Sequence, residues 1–114
     1  MKESELKYAV EEYLQYGMNQ GKWYFDRLNA GSVLVKRGEK VYRIELCREG
    51  TADFLVLTMF QCGLWIPRII FLELKSEKGK QRPEQGAFQK LVEAQGASYF
   101  VIRSIEELEQ ALEA

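Results

Sequence analysis

The chain has 114 residues, 16 basic against 17 acidic, for a formal net charge of −1. A hydrophobic content of 46% and only two prolines exclude a disordered chain, and the length suits one domain spanning residues 1–114. The near-neutral balance argues against a binder of nucleic acid driven by bulk charge, although a local basic patch is compatible with it.

Histidine is absent, which removes His-based triads, imidazole metal sites and His acid–base catalysis. Cys47 and Cys62 form no CxxC pair, so they read as reduced, buried thiols of a cytosolic protein. The first residues, Met1-Lys2-Glu3-Ser4-Glu5, are too polar for a signal peptide, and no apolar run approaches the roughly 20 residues of a membrane span. A cytoplasmic protein without a membrane segment is expected.

In chain order, Leu6, Val10, Tyr13, Leu14 and Gly17 fall on one stripe at helical spacing, with an exit expected between Gly17 and Gly21. Glu5 and Glu12 are read on one flank of that stripe, and Glu11 on the other. Residues 32–36 and 40–47 read as a hairpin about Arg37-Gly38-Glu39. Residues 53–59 read as a third strand, with a turn at Gln61-Cys62-Gly63. Residues 68–75 form a fourth, whose Ile69-Ile70-Phe71-Leu72 run predicts a central strand buried on both faces, with Pro67 before it.

A polar loop, residues 76–82, leads to a helix opened by Pro83, faced by Phe88, Leu91 and Val92 and ended by Gly96. Residues 98–103 form a fifth strand. Ser104-Ile105-Glu106-Glu107 reads as a capping box before a last helix with Leu108, Ala111 and Leu112 buried. The order α-β-β-β-β-α-β-α predicts an α/β domain, a mixed sheet flanked by helices.

The informative residues are acids in unusual places. Glu73 lies within an apolar strand, and alternation puts Lys75 on its face and Leu74 on the other. If the strands of Asp53 and Glu73 pair, two carboxylates meet, at a cost unless a cation lies between them. Mg²⁺ suits such a site, with Asp53, Glu73 and the Leu74 backbone carbonyl as oxygen donors. Lys75 would then neutralise phosphoryl charge or orient the attacking water. Taken alone, Glu73 and Lys75 would also fit an ion pair on an edge strand, Asp53 a strand start, and Gln85 a solvated first-turn residue.

Taken together, Gly50-Thr51-Ala52-Asp53, Phe71-Leu72-Glu73-Leu74-Lys75, Lys78-Gly79, Arg82-Pro83-Glu84-Gln85 and Val101-Ile102-Arg103-Ser104 resemble the VRR-NUC (virus-type replication–repair nuclease) branch of the PD-(D/E)XK superfamily. The resemblance covers nearly the whole chain; Ala52 departs from the Pro that many members carry before the Asp. It implies a restriction-endonuclease-like fold and an Mg²⁺- or Mn²⁺-dependent endonuclease that hydrolyses DNA in phage or bacterial replication and repair. Flapped, branched or junction DNA is the implied substrate. A non-catalytic or partner-activated nucleic-acid-binding module of the same fold is the alternative.

It also implies Asp53 and Glu73 as metal ligands, Lys75 as the catalytic lysine and Gln85 opening the helix that faces the site. A first-helix acid completes the set, Glu5 by position, with Glu12 as the other choice. Lys78, Lys80 and Arg82 in the loop are expected to contact DNA phosphates, with Arg37, Lys40 and Arg43 of the hairpin extending that surface. A homodimer or higher homo-oligomer is expected, because so small a module covers little DNA alone, and Trp65 is a candidate interface residue.

Overall fold

The computed structural model describes residues 2–61 and 65–113, with backbone alone at positions 60, 61 and 65. Three helices, α1 (Glu3–Asn19), α2 (Pro83–Ala94) and α3 (Ile105–Glu113), accompany six strands. The strands are β1 (Tyr24–Arg27), β2 (Ser32–Arg37), β3 (Lys40–Glu45), β4 (Phe54–Gln61), β5 (Trp65–Leu74) and β6 (Ser98–Ile102). Four strands form one mixed sheet in the order β1-β4-β5-β6. The β1–β4 and β4–β5 pairs are antiparallel, and β5–β6 is parallel across the α2 crossover. The molecule is thus the mixed α/β domain expected. The turn around Cys62, Cys62 itself and the Trp65 side chain lie outside the described residues.

One face of the sheet carries the core. Phe25, Phe54, Val56, Ile70, Leu72, Leu74 and Ile102 pack against Leu6, Val10 and Leu14 of α1 and Leu108 and Ala111 of α3. The stripe in α1 runs as the 3.6-residue period requires. The helix exit falls at Gly21, which takes a left-handed φ of +79°. Gly17 serves another purpose: a Cβ there would collide with the Trp23 ring. That indole instead donates from Nε1 to the Leu14 carbonyl at 2.8 Å and stacks on Tyr13.

The other face is covered by α2, whose Phe88 meets Phe71 edge-on and also contacts Tyr99. The cover is incomplete. β5 is central as expected, but Ile69 is 46% exposed, and Leu91 of α2 is exposed as well, so the strand is not buried on both faces. Pro67 also lies inside β5, opposite Met59, because β4 and β5 run on past the expected limits.

Two further departures concern the N-terminal half. β1 is an added edge strand, paired with β4 from Tyr24↔Leu57 to Arg27↔Phe54. The hairpin forms as expected, with Arg37 opposite Lys40, but as a separate two-stranded sheet. It leaves Val33, Leu34, Val41, Tyr42 and Ile44 exposed. The projection explains a radius of gyration of 15.7 Å, against about 13 Å for a compact chain of this length. Cys47, at its base, is free and half-buried rather than buried. No helix among the described residues is long and apolar enough to cross a membrane.

Candidate functional site

The β4–β5 register fixes the centre of the site. Phe54 stands opposite Leu72, so Asp53, one residue before the ladder, comes alongside Glu73. Asp53 then replaces a ladder partner with its own atoms. Its backbone N–H donates to the Leu72 carbonyl at 2.9 Å. Its Oδ2 accepts from the Leu74 N–H at 2.8 Å. Oδ1 faces the Lys7 ammonium of α1 at 3.5 Å.

Glu73 is 3% exposed, in a strand flanked on both sides. The edge-strand ion pair that Glu73 and Lys75 also fitted is therefore not what forms. Its Oε1 is buried with no hydrogen-bond partner. Such an orphan acceptor is costly, and the carboxyl answers by holding a proton. Burial first, then the hydrogen bond and charge of Asp53, push the Glu73 carboxyl up to about 8, against a partial downward pull from Lys75. Glu3 of α1 adds a smaller upward push.

Lys75 is 9% exposed, and its backbone N–H is tied to the Ile102 carbonyl at 3.0 Å. Strand alternation puts its side chain on the Glu73 face. Gln85 is 4% exposed and lines a cleft of about 540 Å³ together with Asp53, Glu73, Lys7 and Arg82. Its Oε1 accepts from the Arg82 N–H at 2.9 Å, so Gln85 also caps the helix on which it sits. Gly50 lets the Asp53 loop approach this helix. It holds φ at +89°, and a Cβ would run into the Glu84 carbonyl.

The first-helix acids separate. Glu5 is exposed, about 160° round α1 from Lys7. Glu12 is also exposed and lines a different groove, with Tyr16 and Ile105. The first-helix acid whose charge reaches Glu73 is Glu3, one turn before Lys7. Glu11, on the next turn, pairs with Arg27 at 4.0 Å. Lys78, Lys80 and Arg82 are exposed beside the site, Arg82 paired with Glu84 at 3.3 Å. Arg37, Lys40 and Arg43 are exposed on the hairpin, whose base residues Ser32, Val33 and Leu46 form one wall of the cleft.

Three residues the sequence reading did not assign shape this region. Lys7 was detectable, since it follows Glu3 by one turn beside the buried stripe. Arg103 Nη1 donates to the carbonyls of Ser76 at 2.6 Å and Gly79 at 2.7 Å, pinning the loop after Lys75. Nothing local in the sequence announces that contact, which spans more than twenty positions. Tyr99 is buried behind Glu73, and its hydroxyl accepts from Gln81 Nε2 at 3.2 Å. Burial pushes that phenol up to about 12, opposed by the Gln81 bond and reinforced by Glu73 and Asp53.

Among the described residues, no group of three or more acidic, thiol or imidazole side chains forms a closed metal cage. The donors that do converge are oxygen only: two carboxylates, one with a buried unpartnered atom. Carboxylate oxygens are the donor type that hard divalent cations take. No protein-family model matches the chain, and no curated protein does.

Proposed function

We propose that the chain is a divalent-cation-dependent phosphodiesterase that cleaves DNA, built on a restriction-endonuclease-like domain of the VRR-NUC type. The observation that carries this reading is Glu73: an acid 3% exposed in an interior strand, unpartnered at Oε1, against a second carboxylate. A fold does not keep such a cost for stability alone.

Asp53, Glu73 and the Leu74 carbonyl are the groups that would hold Mg²⁺ or Mn²⁺. The cation would polarise the scissile phosphate and lower the pKa of water. Lys75, buried directly after β5 and held by its N–H to the Ile102 carbonyl, places a positive charge that orients the incoming water and offsets charge on the phosphoryl oxygens. Water oxygen attacks phosphorus, the bond to the 3′-oxygen breaks, and the products carry 5′-phosphate and 3′-hydroxyl ends. The attacking water gives up one proton to solvent as its oxygen bonds to phosphorus, and the departing 3′-oxygen takes one in return. Gln85 holds the first turn of α2 against the cleft. Lys78, Lys80 and Arg82 receive the flanking phosphates.

The test is a labelled panel of single strand, blunt duplex, 5′ flap, 3′ flap, fork and four-way junction, incubated with Mg²⁺, Mn²⁺ or EDTA. Cation-dependent scission strongest on a flap, fork or junction supports the proposal. Tight binding without scission under every condition overturns it in favour of a non-catalytic binding module.

A further inference from the structure

Lys7 is the one cation paired with the carboxylate centre among the described residues. It stands 3.5 Å from Asp53 Oδ1, and Asp53 Oδ2 is already committed to the Leu74 N–H. Asp53 Oδ1, faced by Lys7, and the unpartnered Glu73 Oε1 are thus two carboxylate atoms on which a cation could draw. The two lysines of the site differ in freedom. Lys75 is buried directly after β5, its N–H tied to the Ile102 carbonyl, whereas the Lys7 side chain is 31% exposed on a four-carbon stem. Lys7 can swing by several ångströms without moving α1.

We infer that Lys7 is a displaceable counter-ion: it neutralises Asp53 in the cation-free protein, yields that oxygen to the entering divalent cation, and transfers its ammonium to a substrate phosphate in the same cleft. The inference rests on the phosphodiesterase reading above and adds a coupling to it. A dication entering beside an ammonium meets like charge, which weakens its binding. A phosphodiester arriving in the cleft gives Lys7 a new partner and removes that penalty. Cation and substrate therefore each tighten the binding of the other through Lys7, as linkage requires. The practical consequence is a site poorly loaded with metal until nucleic acid is present.

The test measures Mn²⁺ binding by calorimetry and by the electron paramagnetic resonance of free Mn²⁺, without nucleic acid. The proteins are wild type, Lys7→Met, Lys7→Arg and Asp53→Asn, each first shown to melt cooperatively. Lys7→Met keeps the stem length and loses the charge. It is expected to bind Mn²⁺ about three- to tenfold more tightly than wild type, while Lys7→Arg stays near wild type. A cleavage-resistant phosphorothioate oligonucleotide is expected to tighten Mn²⁺ binding to wild type and to do so much less for Lys7→Met. If Asp53→Asn abolishes Mn²⁺ binding while Lys7→Met leaves it unchanged or weaker, the role of Lys7 is overturned and the metal reading stands. No Mn²⁺ binding by any of the four proteins overturns both.

Discussion

Replacing Glu73 by Gln should stabilise the cation-free protein at neutral and alkaline pH, and the pH dependence of that gain is the informative part. The folded-state carboxyl is raised from 4.5 to about 8. Below pH 4.5 both folded and unfolded chains hold the proton. Between 4.5 and 8 the folded chain keeps a proton that the unfolded chain has released, so stability falls as pH rises. Above 8 the loss is complete and the curve flattens. For a single such proton the slope is at most about 1.4 kcal/mol per pH unit. A 114-residue domain has an unfolding entropy of about 0.24 kcal/mol/K, so the slope is worth up to about 6 °C in Tm per pH unit. Glutamine cannot ionise and lacks that slope. Differential scanning calorimetry of both proteins in EDTA, from pH 5 to 9, should show the Tm difference between variant and wild type widening up to pH 8 and then holding. Saturating Mg²⁺ should restore much of the wild-type stability at high pH, because the cation favours the ionised carboxylate. Two Tm curves running parallel from pH 5 to 9 would refute the claim that Glu73 is protonated by burial beside Asp53.

Other consequences follow from single contacts. Gly50→Ala forces a Cβ into the Glu84 carbonyl at a left-handed φ, which should cost about 3 kcal/mol and lower Tm by about 12 °C; an unchanged melting curve would contradict the close approach. Arg103→Ala frees the carbonyls of Ser76 and Gly79, so stability should drop by about 2 kcal/mol and trypsin should cut faster after Lys78 or Lys80; equal cleavage rates would count against the clamp. The double change Lys78→Ala, Lys80→Ala should reduce the slope of log affinity for duplex DNA against log salt by about 2, with no change in melting. An unaltered slope would place those lysines off the DNA.

The sequence made the β4–β5 pairing and its consequence legible. A short apolar run with one acid in it, preceded by Gly50 and Asp53, admits few registers, and the structure uses one that brings Asp53 to Glu73. The caps were equally local: Pro83 opens α2, and Ser104 Oγ accepts from the Glu107 N–H at 3.2 Å at the start of α3. What failed was non-local or a matter of phase. β1 is four residues long with only Phe25 buried, too little alternation to announce a strand. Whether the hairpin joins the main sheet depends on partners far along the chain, which its own pattern does not encode. Two residues along α1 turn a side chain about 200°, which carries Glu5 away from Lys7 and leaves Glu3 as the first-helix acid whose charge reaches Glu73. Gly17 lies on the buried stripe as its spacing predicts, but its role as the flat spot that receives Trp23 depends on a residue outside the helix and is not encoded in that stripe.

The most direct test of the central claim compares wild type with Lys75→Ala on the preferred DNA under single-turnover conditions. Both are run in Mg²⁺ and in EDTA, with DNA binding measured alongside. The account predicts Mg²⁺-dependent scission by wild type. It predicts loss of at least about a hundredfold in rate for Lys75→Ala, with DNA affinity within about threefold of wild type. Scission that continues at the wild-type rate in Lys75→Ala, or in EDTA, would contradict it.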